Sequence, residues 1–451
     1  MKKYINLPRN TYFINDKING LLFGYKQEKK HKELKINFQT KELILDLCSK
    51  ATDEVITSYS RKYNISKIEI KDKIFNILNK INNCIPIKFC DFKPNVANIP
   101  ISIGDLNLVF PRHASIEITD KCNIKCRFCY NNSNSNNKNF IKSPMKLLKI
   151  LCDKKIKVIE ITGGEPFLHP DFIKILEYCI ENFEVVALIT NGTNHNPLFF
   201  DLVEGKRNIL VQVTIPGAKK ESSYEEYIET KKNLCEDIFN KKIKFIKKLK
   251  KRDVRTRIVY IVDDPKKIDE MSNVVNFAKN IGGSSFTATL NIPNGRGKNR
   301  EKSMSSEDYK KFAKHLNDLR EQFPNFIEND NPEKLPVDLN KGWSCGAGSK
   351  SICITADQKL KPCVMFSSDM IHKNLELDRF ENEIIDQISK FAFNTIDVPS
   401  FGTCLGCEFS DYCIGCLFRG IKKIPLKGKD KCGWYLKMTK KEKEIVERYL
   451  C

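Results

Sequence analysis

The stretch DKCNIKCRFCYNN, residues 120–132, places three cysteines close together. Cys122, Cys126 and Cys129 follow the pattern C-x3-C-x2-C, and no fourth cysteine lies nearby in the sequence. Iron–sulfur clusters are held by cysteine thiolates, and three thiolates leave one iron of a four-iron cluster open to a substrate or cofactor. A zinc site is the alternative, although zinc normally takes four ligands. The triplet therefore favours an iron–sulfur cluster with one open position.

A second group of cysteines lies near the C-terminal end, in a region with little periodic structure. It includes the pattern C-x2-C-x5-C-x2-C, and its members are Cys345, Cys363, Cys404, Cys407, Cys413, Cys416 and Cys432. The chain has 18 cysteines in 451 residues. Because a reducing cytoplasm disfavours disulfides, metal or redox chemistry is the leading explanation. A zinc ribbon is the alternative for this group, since C-x2-C pairs are common zinc ligands.

The region from His113 to about residue 327 alternates strand-like and helix-like stretches. Its strand-like runs are ASIEIT, KVIEIT, EVVALIT, ILVQVTI, RTRIVYIV and SFTATLNI. Six such units predict a parallel α/β sheet covered by helices. The cysteine motif follows the first strand, GGEP the second, NGT the third and PGA the fourth. Chemistry in such folds sits at the carboxyl ends of the strands, where these motifs fall.

Residues 1–92 have a different pattern. The strand-like stretches NTYFIN, GLLFGY and ELKINF come first, and three amphipathic helix-like stretches follow. This order predicts a small winged-helix-like α+β domain. Residues 1–95 hold 19 Lys and Arg against 10 Asp and Glu, which would suit an acidic partner. The alternative is a docking domain without a ligand of its own.

The composition limits the localisation and the partners. No apolar run reaches the roughly 18 residues of a membrane-spanning helix, and the N-terminus lacks an apolar signal-peptide core, so we expect a cytoplasmic protein without a membrane partner. The net charge is +21. The lysines are spread along the chain without the aromatic interleaving of single-strand binders, so we expect no nucleic-acid partner. A basic zinc-ribbon nucleic-acid-binding protein is the non-enzyme alternative.

The first cysteine motif resembles that of the radical S-adenosylmethionine (SAM) enzymes. The shared pattern is C-x3-C-x-aromatic-C after the first strand, with Phe128 before the last cysteine and Tyr130 after it. The resemblance implies that the open iron of a [4Fe–4S] cluster chelates the amino and carboxylate groups of SAM. It implies reductive cleavage of SAM to a 5′-deoxyadenosyl radical, and hence an oxidoreductase. The implied fold is a partial (β/α)6 radical SAM barrel over residues 105–327.

The same resemblance assigns SAM contacts to three further motifs. In ITGGEP, Gly163 and Gly164 would let the backbone approach SAM, and Glu165 would accept from its ammonium. The other expected contacts, in ITNGT and VTIPGA, are Thr190, Asn191 and Thr214. Two departures concern the fourth strand. Pro216 stands where an acid is usual, and EEYIETK lies in place of the usual H-D-x-x-R-G.

The C-terminal cysteines resemble the SPASM domain, a seven-cysteine extension of radical SAM enzymes that holds two auxiliary [4Fe–4S] clusters. The resemblance implies an outer cluster on Cys404, Cys407, Cys413 and Cys432. It implies an inner cluster on Cys345, Cys363 and Cys416. The inner cluster is one ligand short unless Cys353 joins, and the alternative for Cys353 is a small buried core residue. The last local gap is two residues instead of three, and Gln358 replaces a glycine.

Over nearly its whole length the sequence resembles radical SAM/SPASM peptide maturases, in particular sactipeptide (subtilosin-type) thioether synthases. This implies a peptide-recognition domain at 1–92 and a cysteine-rich SPASM domain at 328–451. The implied reaction installs cysteine-to-carbon thioether crosslinks in a ribosomal precursor peptide, whose leader would add as a strand to the exposed backbone of GLLFGY or ELKINF. A flavodoxin or ferredoxin would donate electrons. The enzymatic alternatives are a carbon–carbon crosslink, an epimerised residue or a formylglycine.

Overall fold

The computed structural model describes most of the chain, in two compact units, Met1–Phe110 and Pro111–Cys451. The described residues are 3–8, 11–16, 20–27, 30–93, 99–105, 111–298, 304–327, 345–367, 393 and 396–450. The predicted start of the SPASM domain, residue 328, lies outside them. None of the helices in these ranges is long and apolar enough to cross a membrane.

The first unit is an α+β fold with a four-stranded sheet in the order β4-β3-β2-β6 and a separate pair, β1-β5. Its strands are β1 (Tyr4–Asn6), β2 (Thr11–Asp16), β3 (Gly20–Gln27), β4 (Lys30–Ile36), β5 (Lys88–Cys90) and β6 (Ile101–Asp105). Its helices are α1 (Phe38–Ser49), α2 (Thr52–Tyr63) and α3 (Lys67–Asn82). Ile44, Leu47 and Ile74 on the helices share a core with Phe13 and Phe23 of the sheet.

The predicted three strands and three helices of the N-terminal segment are present as β2–β4 and α1–α3. β6 pairs in parallel with β2, so the sheet includes residues beyond the predicted boundary at residue 92. The expectation that GLLFGY offers a free backbone edge is wrong. This stretch lies in β3, which pairs with β2 on one side and with β4 on the other. The edge strands of this sheet are β4 and β6.

The second unit contains an eight-stranded sheet in the order β12-β11-β10-β9-β8-β7-β13-β14. The six barrel strands are β7 (His113–Thr119), β8 (Val158–Gly163), β9 (Val185–Thr190), β10 (Ile209–Ile215), β11 (Thr256–Val262) and β12 (Ser285–Leu290). The helices are α4 (Pro144–Asp153), α5 (Phe172–Asn182), α6 (Pro197–Val203), α7 (Lys232–Lys251), α8 (Pro265–Asn280) and α9 (Ser306–Gln322). β7 to β12 all run parallel, which confirms the predicted (β/α)6 architecture.

The alternation of side chains along each barrel strand separates the core from the site. In β10, Val211 and Val213 are fully buried in the main apolar core. Gln212 and Thr214, which alternate with them, line an internal cavity. Because successive side chains of a strand point to opposite faces, the outward face packs against the helices. The inward face is left free to carry polar groups.

The C-terminal region begins as part of the barrel sheet. β13 (Ser351–Ile354) pairs in parallel with β7 and antiparallel with β14 (Leu360–Lys361). The described residues 396–450 contain five short helices: α10 (Phe401–Cys404), α11 (Ser410–Cys413), α12 (Leu417–Lys427), α13 (Gly433–Leu436) and α14 (Lys440–Glu447). They pack around an apolar core that includes Phe418, Ile421 and Trp434. The region therefore has more regular structure than its sequence pattern predicted.

Candidate active site

The three cysteines of the first motif lie on residues 120–132, here termed the cluster loop, directly after β7. The backbone N–H of Cys122 donates to Asn134 O at 3.0 Å. A strap, residues 226–228, pairs with residues 125–127 through two backbone hydrogen bonds of 3.0 and 2.9 Å and an isolated β-bridge. The loop is therefore held from two sides, and its thiols are presented at the carboxyl end of the first barrel strand.

The thiols of the cluster loop lie close enough together to affect one another. The pKa of Cys122 is raised to about 12, chiefly by burial, with Glu165 and Cys129 contributing. The pKa of Cys126 lies well above its usual range, chiefly because of burial, with Cys122 and Cys129 contributing. Buried thiols of this kind become thiolates when they bind a metal. The donor set therefore fits the cluster that the motif predicts.

Among the residues that the structure describes, no three His, Cys, Asp or Glu side chains lie close enough together to hold one metal ion. A four-iron cluster is larger than a single ion, and its thiolates stand further apart. The lack of a single-ion site among the described residues is therefore compatible with a four-iron cluster held by the cluster-loop thiols.

Arg296, which the sequence analysis missed, holds the cluster loop from the far side of the barrel. Its Nε donates to Cys126 O at 2.7 Å, and its guanidinium also donates to Ser133 O at 2.7 Å and to Asn132 Oδ1 at 3.0 Å. The preceding Gly295 has φ of +52°. A Cβ there would lie 2.6 Å from two cluster-loop carbonyls. The NGRG stretch after β12 was the sequence signal for this contact.

Gly163 and Gly164 bring the end of β8 against the cluster loop. A Cβ on Gly163 would lie 2.2 Å from Thr119 O, and one on Gly164 would lie 2.1 Å from Lys121 O. Gly163 also has φ of +124°, which favours glycine. Both glycines line the cavity as well. Both glycines therefore allow the end of β8 to lie directly against the cluster loop. The same close approach places them beside the cavity.

Glu165 is fully buried next to the cluster loop. Its carboxylate accepts from Thr190 Oγ1 and from the Asn191 N–H, both at 2.7 Å. The Asn191 side-chain amide lies 3.8 Å from Cys122 Sγ. Burial raises the pKa of Glu165 to about 7, despite the hydrogen bonds that lower it. The second-strand and third-strand motifs are thus joined through one carboxylate.

A cavity of about 350 Å³ lies at the carboxyl ends of the barrel strands. The candidate site residues from the sequence that line this cavity are Cys122, Cys126, Cys129, Gly163, Gly164, Thr190, Asn191 and Thr214. The residues that sequence reasoning missed include Glu160, Gln212, Glu226, Tyr227, Lys242 and Arg296. The structure therefore brings the expected SAM-site residues other than Glu165 to one space and adds charged and aromatic groups to it. Glu165 does not line the cavity but is hydrogen-bonded to Thr190 and Asn191, which do.

Lys242 on α7 is the buried cation of this cavity. Its Nζ donates to Thr214 O at 2.7 Å and lies 5.9 Å from the centre of the Tyr227 ring. Burial lowers the pKa of Lys242, while Cys126 and Glu226 act in the opposite direction. Glu226 and Tyr227 come from EEYIETK, where the usual family motif is lacking. This departure therefore places different chemical groups beside the cluster loop.

The four cysteines expected for the outer cluster lie together among the C-terminal helices. Cys404 ends α10, Cys413 ends α11 and Cys432 precedes α13. Together with Cys407 they line one small cavity of about 20 Å³. The pKa of Cys413 is raised by burial and then by the charges of its three neighbours. Four converging thiols are the donor set that a [4Fe–4S] cluster requires.

The three cysteines expected for the inner cluster also interact. The pKa of Cys363 is raised to about 12, chiefly by burial, with Cys416 and Cys345 contributing. The Sγ of Cys416 lies 3.7 Å from Met365 Sδ. Cys345 is exposed and the other two are partly buried.

Cys353 lies on β13 with its side chain directed toward β7. It is fully buried, and its Sγ is 3.8 Å from Glu117 Oε1. The same carboxylate oxygen accepts from Lys361 Nζ at 2.7 Å in an ion pair that is almost completely buried. Glu117 also receives a 3.4 Å contact from Asn131 of the cluster loop. Cys353 therefore belongs to a polar group that joins the cluster loop to the β13–β14 hairpin.

Comparison with known proteins gives matches along most of the chain. Residues 116–278 match the Radical SAM superfamily. The chain is 26% identical over 392 residues to the antilisterial bacteriocin subtilosin biosynthesis protein AlbA of Bacillus subtilis strain 168, covering 85% of this chain and 84% of AlbA. It is 24% identical over 266 residues to the sporulation killing factor maturation protein SkfB of the same strain, covering 58% of this chain and 62% of SkfB.

Solved structures share the fold. SuiB of Streptococcus suis bound to its precursor peptide SuiA matches with a TM-score of 0.60 at 16% identity, covering 93% of this chain and 97% of SuiB. SuiB bound to S-adenosylmethionine matches with a TM-score of 0.58 at 15% identity, covering 95% of this chain and 98% of SuiB. The chain thus contains a radical SAM domain and is an enzyme. It resembles SPASM-type peptide maturases beyond that domain.

Proposed function

We propose that this chain is a radical SAM enzyme that installs cysteine-to-carbon thioether crosslinks, of the sactionine type, in a ribosomally made precursor peptide. One observation carries the proposal. The thiols of the cluster loop, Gly163 and Gly164 and the ends of β9 and β10 meet at one cavity, and Glu165 is hydrogen-bonded to Thr190 beside it. The similarity to AlbA and SkfB, named for subtilosin biosynthesis and killing-factor maturation, supports a peptide product.

The cluster-loop cysteines would hold a [4Fe–4S] cluster, which when reduced supplies the electron that cleaves SAM to a 5′-deoxyadenosyl radical. Glu165 Oε1 accepts from Thr190 Oγ1 and from the Phe167 N–H, and Glu165 Oε2 accepts from the Asn191 N–H. Oε2 has one further lone pair, with which Glu165 could accept from the SAM ammonium. Lys242 gives one of its three donors to Thr214 O. Its remaining donors can reach an anionic group such as the methionine carboxylate.

The inner cysteine set supports the thioether product. Cys345, Cys363 and Cys416 would supply three ligands, and the Sγ of Cys353 lies 3.8 Å from Glu117 Oε1, although Cys353 is also close enough to Cys363 for that thiol to raise its pKa. A peptide cysteine thiolate is then the natural fourth ligand, which would position its sulfur for intramolecular bond formation. Each bridge removes two hydrogens. One leaves as an atom taken by the 5′-deoxyadenosyl radical, and the other leaves as a thiol proton together with one electron for the auxiliary clusters.

The first unit is the proposed binding site for the leader of the precursor peptide. The edge strands β4 and β6 offer backbone groups to which an extended peptide can add as a strand. β4 carries Lys32 and Lys35 beside Glu33, which suits an acidic leader. The match to SuiB bound to its precursor peptide supports this partner. A flavodoxin or ferredoxin is the proposed electron donor.

Mass spectrometry of the treated peptide tests this function. We expect a small open reading frame near the gene to encode the precursor, which would be incubated with the anaerobically reconstituted enzyme, SAM and dithionite. We expect the loss of two hydrogens per bridge and one cysteine that resists alkylation. Replacing that peptide cysteine with Ala should stop the mass change while SAM is still consumed. A modified peptide whose cysteines all alkylate would instead favour a crosslinking or epimerising enzyme.

The acceptor carbon distinguishes two thioether outcomes. Fragmentation spectra of the bridged peptide locate the residue that carries the new bond. Attachment at the α carbon is the sactipeptide outcome that we propose. Attachment at a β or γ carbon would keep the thioether chemistry and change the product class.

A further inference from the structure

Tyr227, in the middle of the strap, carries a buried hydroxyl group that no described residue satisfies. The residue is only 4% exposed, and among the described residues its hydroxyl has no hydrogen-bond partner. Tyr227 also lines the cavity at the carboxyl ends of the barrel strands. A buried polar group without a partner costs free energy, and most such groups in proteins are paired. The orphaned hydroxyl therefore indicates a partner that is itself bound in the cavity.

The backbone pairing of the strap places Tyr227 directly opposite Cys126. The two form an antiparallel bridge, and the backbone hydrogen bonds of 3.0 and 2.9 Å join the residues on either side of them. In an antiparallel pair, residues framed in this way make no backbone hydrogen bond to each other. Their Cα atoms lie about 4.5 Å apart and their side chains share one face. The Tyr227 side chain therefore leaves the strap on the same face as the Cys126 thiol.

The groups around the Tyr227 ring fix its position beneath the cluster loop. The ring belongs to an apolar group with Cys122, Ile124 and Cys235, against which Cys126 also packs. The pKa of Tyr227 lies well above its usual range, chiefly because of burial, and Cys126 is the foremost of the charged neighbours that raise it. The hydroxyl and the Cys126 thiol are therefore close enough to interact.

The neighbouring carboxylate is already engaged. Glu226, the residue before Tyr227, accepts from Lys267 Nζ at 2.9 Å, and no hydrogen bond joins it to the Tyr227 hydroxyl among the described residues. A phenol is a hydrogen-bond donor at neutral pH. The sulfur atoms that a cluster would bring to the loop are therefore the acceptors that remain for it.

We propose that the Tyr227 hydroxyl donates a hydrogen bond to a sulfur atom at the Cys126 corner of the SAM-binding cluster and makes that cluster easier to reduce. The inference rests on the proposed function, in which this cluster gains one electron before each SAM cleavage. Reduction adds one negative charge to the cluster, and a donor at sulfur stabilises that charge. Hydrogen bonds to the sulfurs are among the factors that set the reduction potential of such clusters.

Tyr227→Phe tests the proposal, because it removes the hydroxyl and keeps the ring that packs beneath the loop. The readout is a redox titration of the reconstituted full-length protein, followed by electron paramagnetic resonance (EPR). The signal of the SAM-binding cluster is the one that changes when SAM is added and that is lost when Cys122→Ala, Cys126→Ala and Cys129→Ala are combined. We expect the equilibrium constant for its reduction to fall about tenfold, which lowers the midpoint potential by about 59 mV.

The yield of SAM cleavage gives a second readout that a purely structural role would not produce. With dithionite as the reductant, Tyr227→Phe should form less 5′-deoxyadenosine than the unmodified protein, because less of its cluster is reduced. Titanium(III) citrate, a stronger reductant, should restore the yield. The EPR titration reports only on molecules that hold the cluster, so a partial loss of iron does not prevent the measurement.

Tyr260→Phe is the matched control. Tyr260 on β11 is also fully buried, but it belongs to the main apolar core on the outward face of the barrel sheet. Its hydroxyl donates to Glu270 at 3.3 Å. The control therefore removes one buried hydroxyl from the same unit without changing the surroundings of the cluster loop. We expect its midpoint potential and its yield with dithionite to match those of the unmodified protein.

The outcomes separate the role of Tyr227 from the proposed function. An unchanged midpoint potential in Tyr227→Phe would overturn the role of the hydroxyl, as would an equal shift in Tyr260→Phe. If Tyr227→Phe keeps the potential and weakens SAM binding in equilibrium dialysis, the hydroxyl binds SAM and the proposal is wrong. A peptide product without thioether bridges would overturn the proposed function alone, because the potential is measured without peptide. An unmodified protein without a SAM-responsive cluster would overturn both.

Discussion

Arg296→Ala tests how the cluster loop is held. The side chain makes two 2.7 Å hydrogen bonds to the carbonyls of Cys126 and Ser133. Hydrogen bonds to charged groups contribute about 1.5–3 kcal/mol each, so losing these two should destabilise the closed loop by about 3–6 kcal/mol. The weaker bond to Asn132 is left out of this figure because it is exposed. Such a loss shifts the loop strongly toward conformations in which its thiols no longer converge.

The expected result is loss of the SAM-binding cluster with retention of the auxiliary clusters. Iron and sulfide content and the electron paramagnetic resonance (EPR) spectrum of the reduced protein, with and without SAM, measure this. Arg296→Lys keeps the charge but not the planar fork, so its iron content should be intermediate. Arg61→Ala on α2, an exposed position, is the control. Full iron and an unchanged SAM-dependent signal in Arg296→Ala would refute the reasoning.

Three further predictions concern SAM binding, stability and peptide binding. Burial raises the pKa of Glu165 to about 7, so protonation below pH 7 should weaken its hydrogen bond to the SAM ammonium. The dissociation constant for SAM, measured by equilibrium dialysis, should therefore rise by up to about tenfold for each pH unit below 7. A Glu165→Gln variant with the same pH dependence would show that Glu165 is not the responsible group. Lys361→Met leaves the Glu117 carboxylate buried without its ammonium partner. It should lower the free energy of unfolding, measured by denaturant titration, by about 3–5 kcal/mol. Adding Glu117→Gln should restore part of this loss. Deleting residues 1–110 should weaken binding of the leader peptide, measured by fluorescence anisotropy. The truncated protein should still cleave SAM in the absence of peptide. An unchanged affinity for the leader would show that the first unit does not recognise it.

The sequence was sufficient for the barrel and for the main motifs because both depend on local patterns. Alternating strand and helix periods predicted β7–β12, and cysteine spacing predicted the cluster loop. The rule that parallel strands present chemistry at their carboxyl ends then placed Glu165 and Asn191 beside it. These inferences need only short-range pattern and a general property of the fold.

Other features depend on contacts between distant segments and left little local signal. Arg296 lies 170 residues from the carbonyl of Cys126 that it binds. Lys242 sits on an otherwise ordinary lysine-rich helix, and its burial follows only from how α7 packs on β10. The interior position of β3 follows from pairing on both sides, which strand propensity cannot predict. The Glu117–Lys361 pair joins residues 244 positions apart.

If the cluster loop holds the cluster that cleaves SAM, its three thiols are required for that reaction. The most direct measurement is 5′-deoxyadenosine formation under dithionite by the anaerobically reconstituted protein and by its variant with Ala at Cys122, Cys126 and Cys129. We expect the variant to form no 5′-deoxyadenosine and to keep the iron of the auxiliary clusters, since the two cysteine groups lie on separate segments of the second unit. A triple variant that still forms 5′-deoxyadenosine would show that the SAM-cleaving cluster does not lie on the cluster loop.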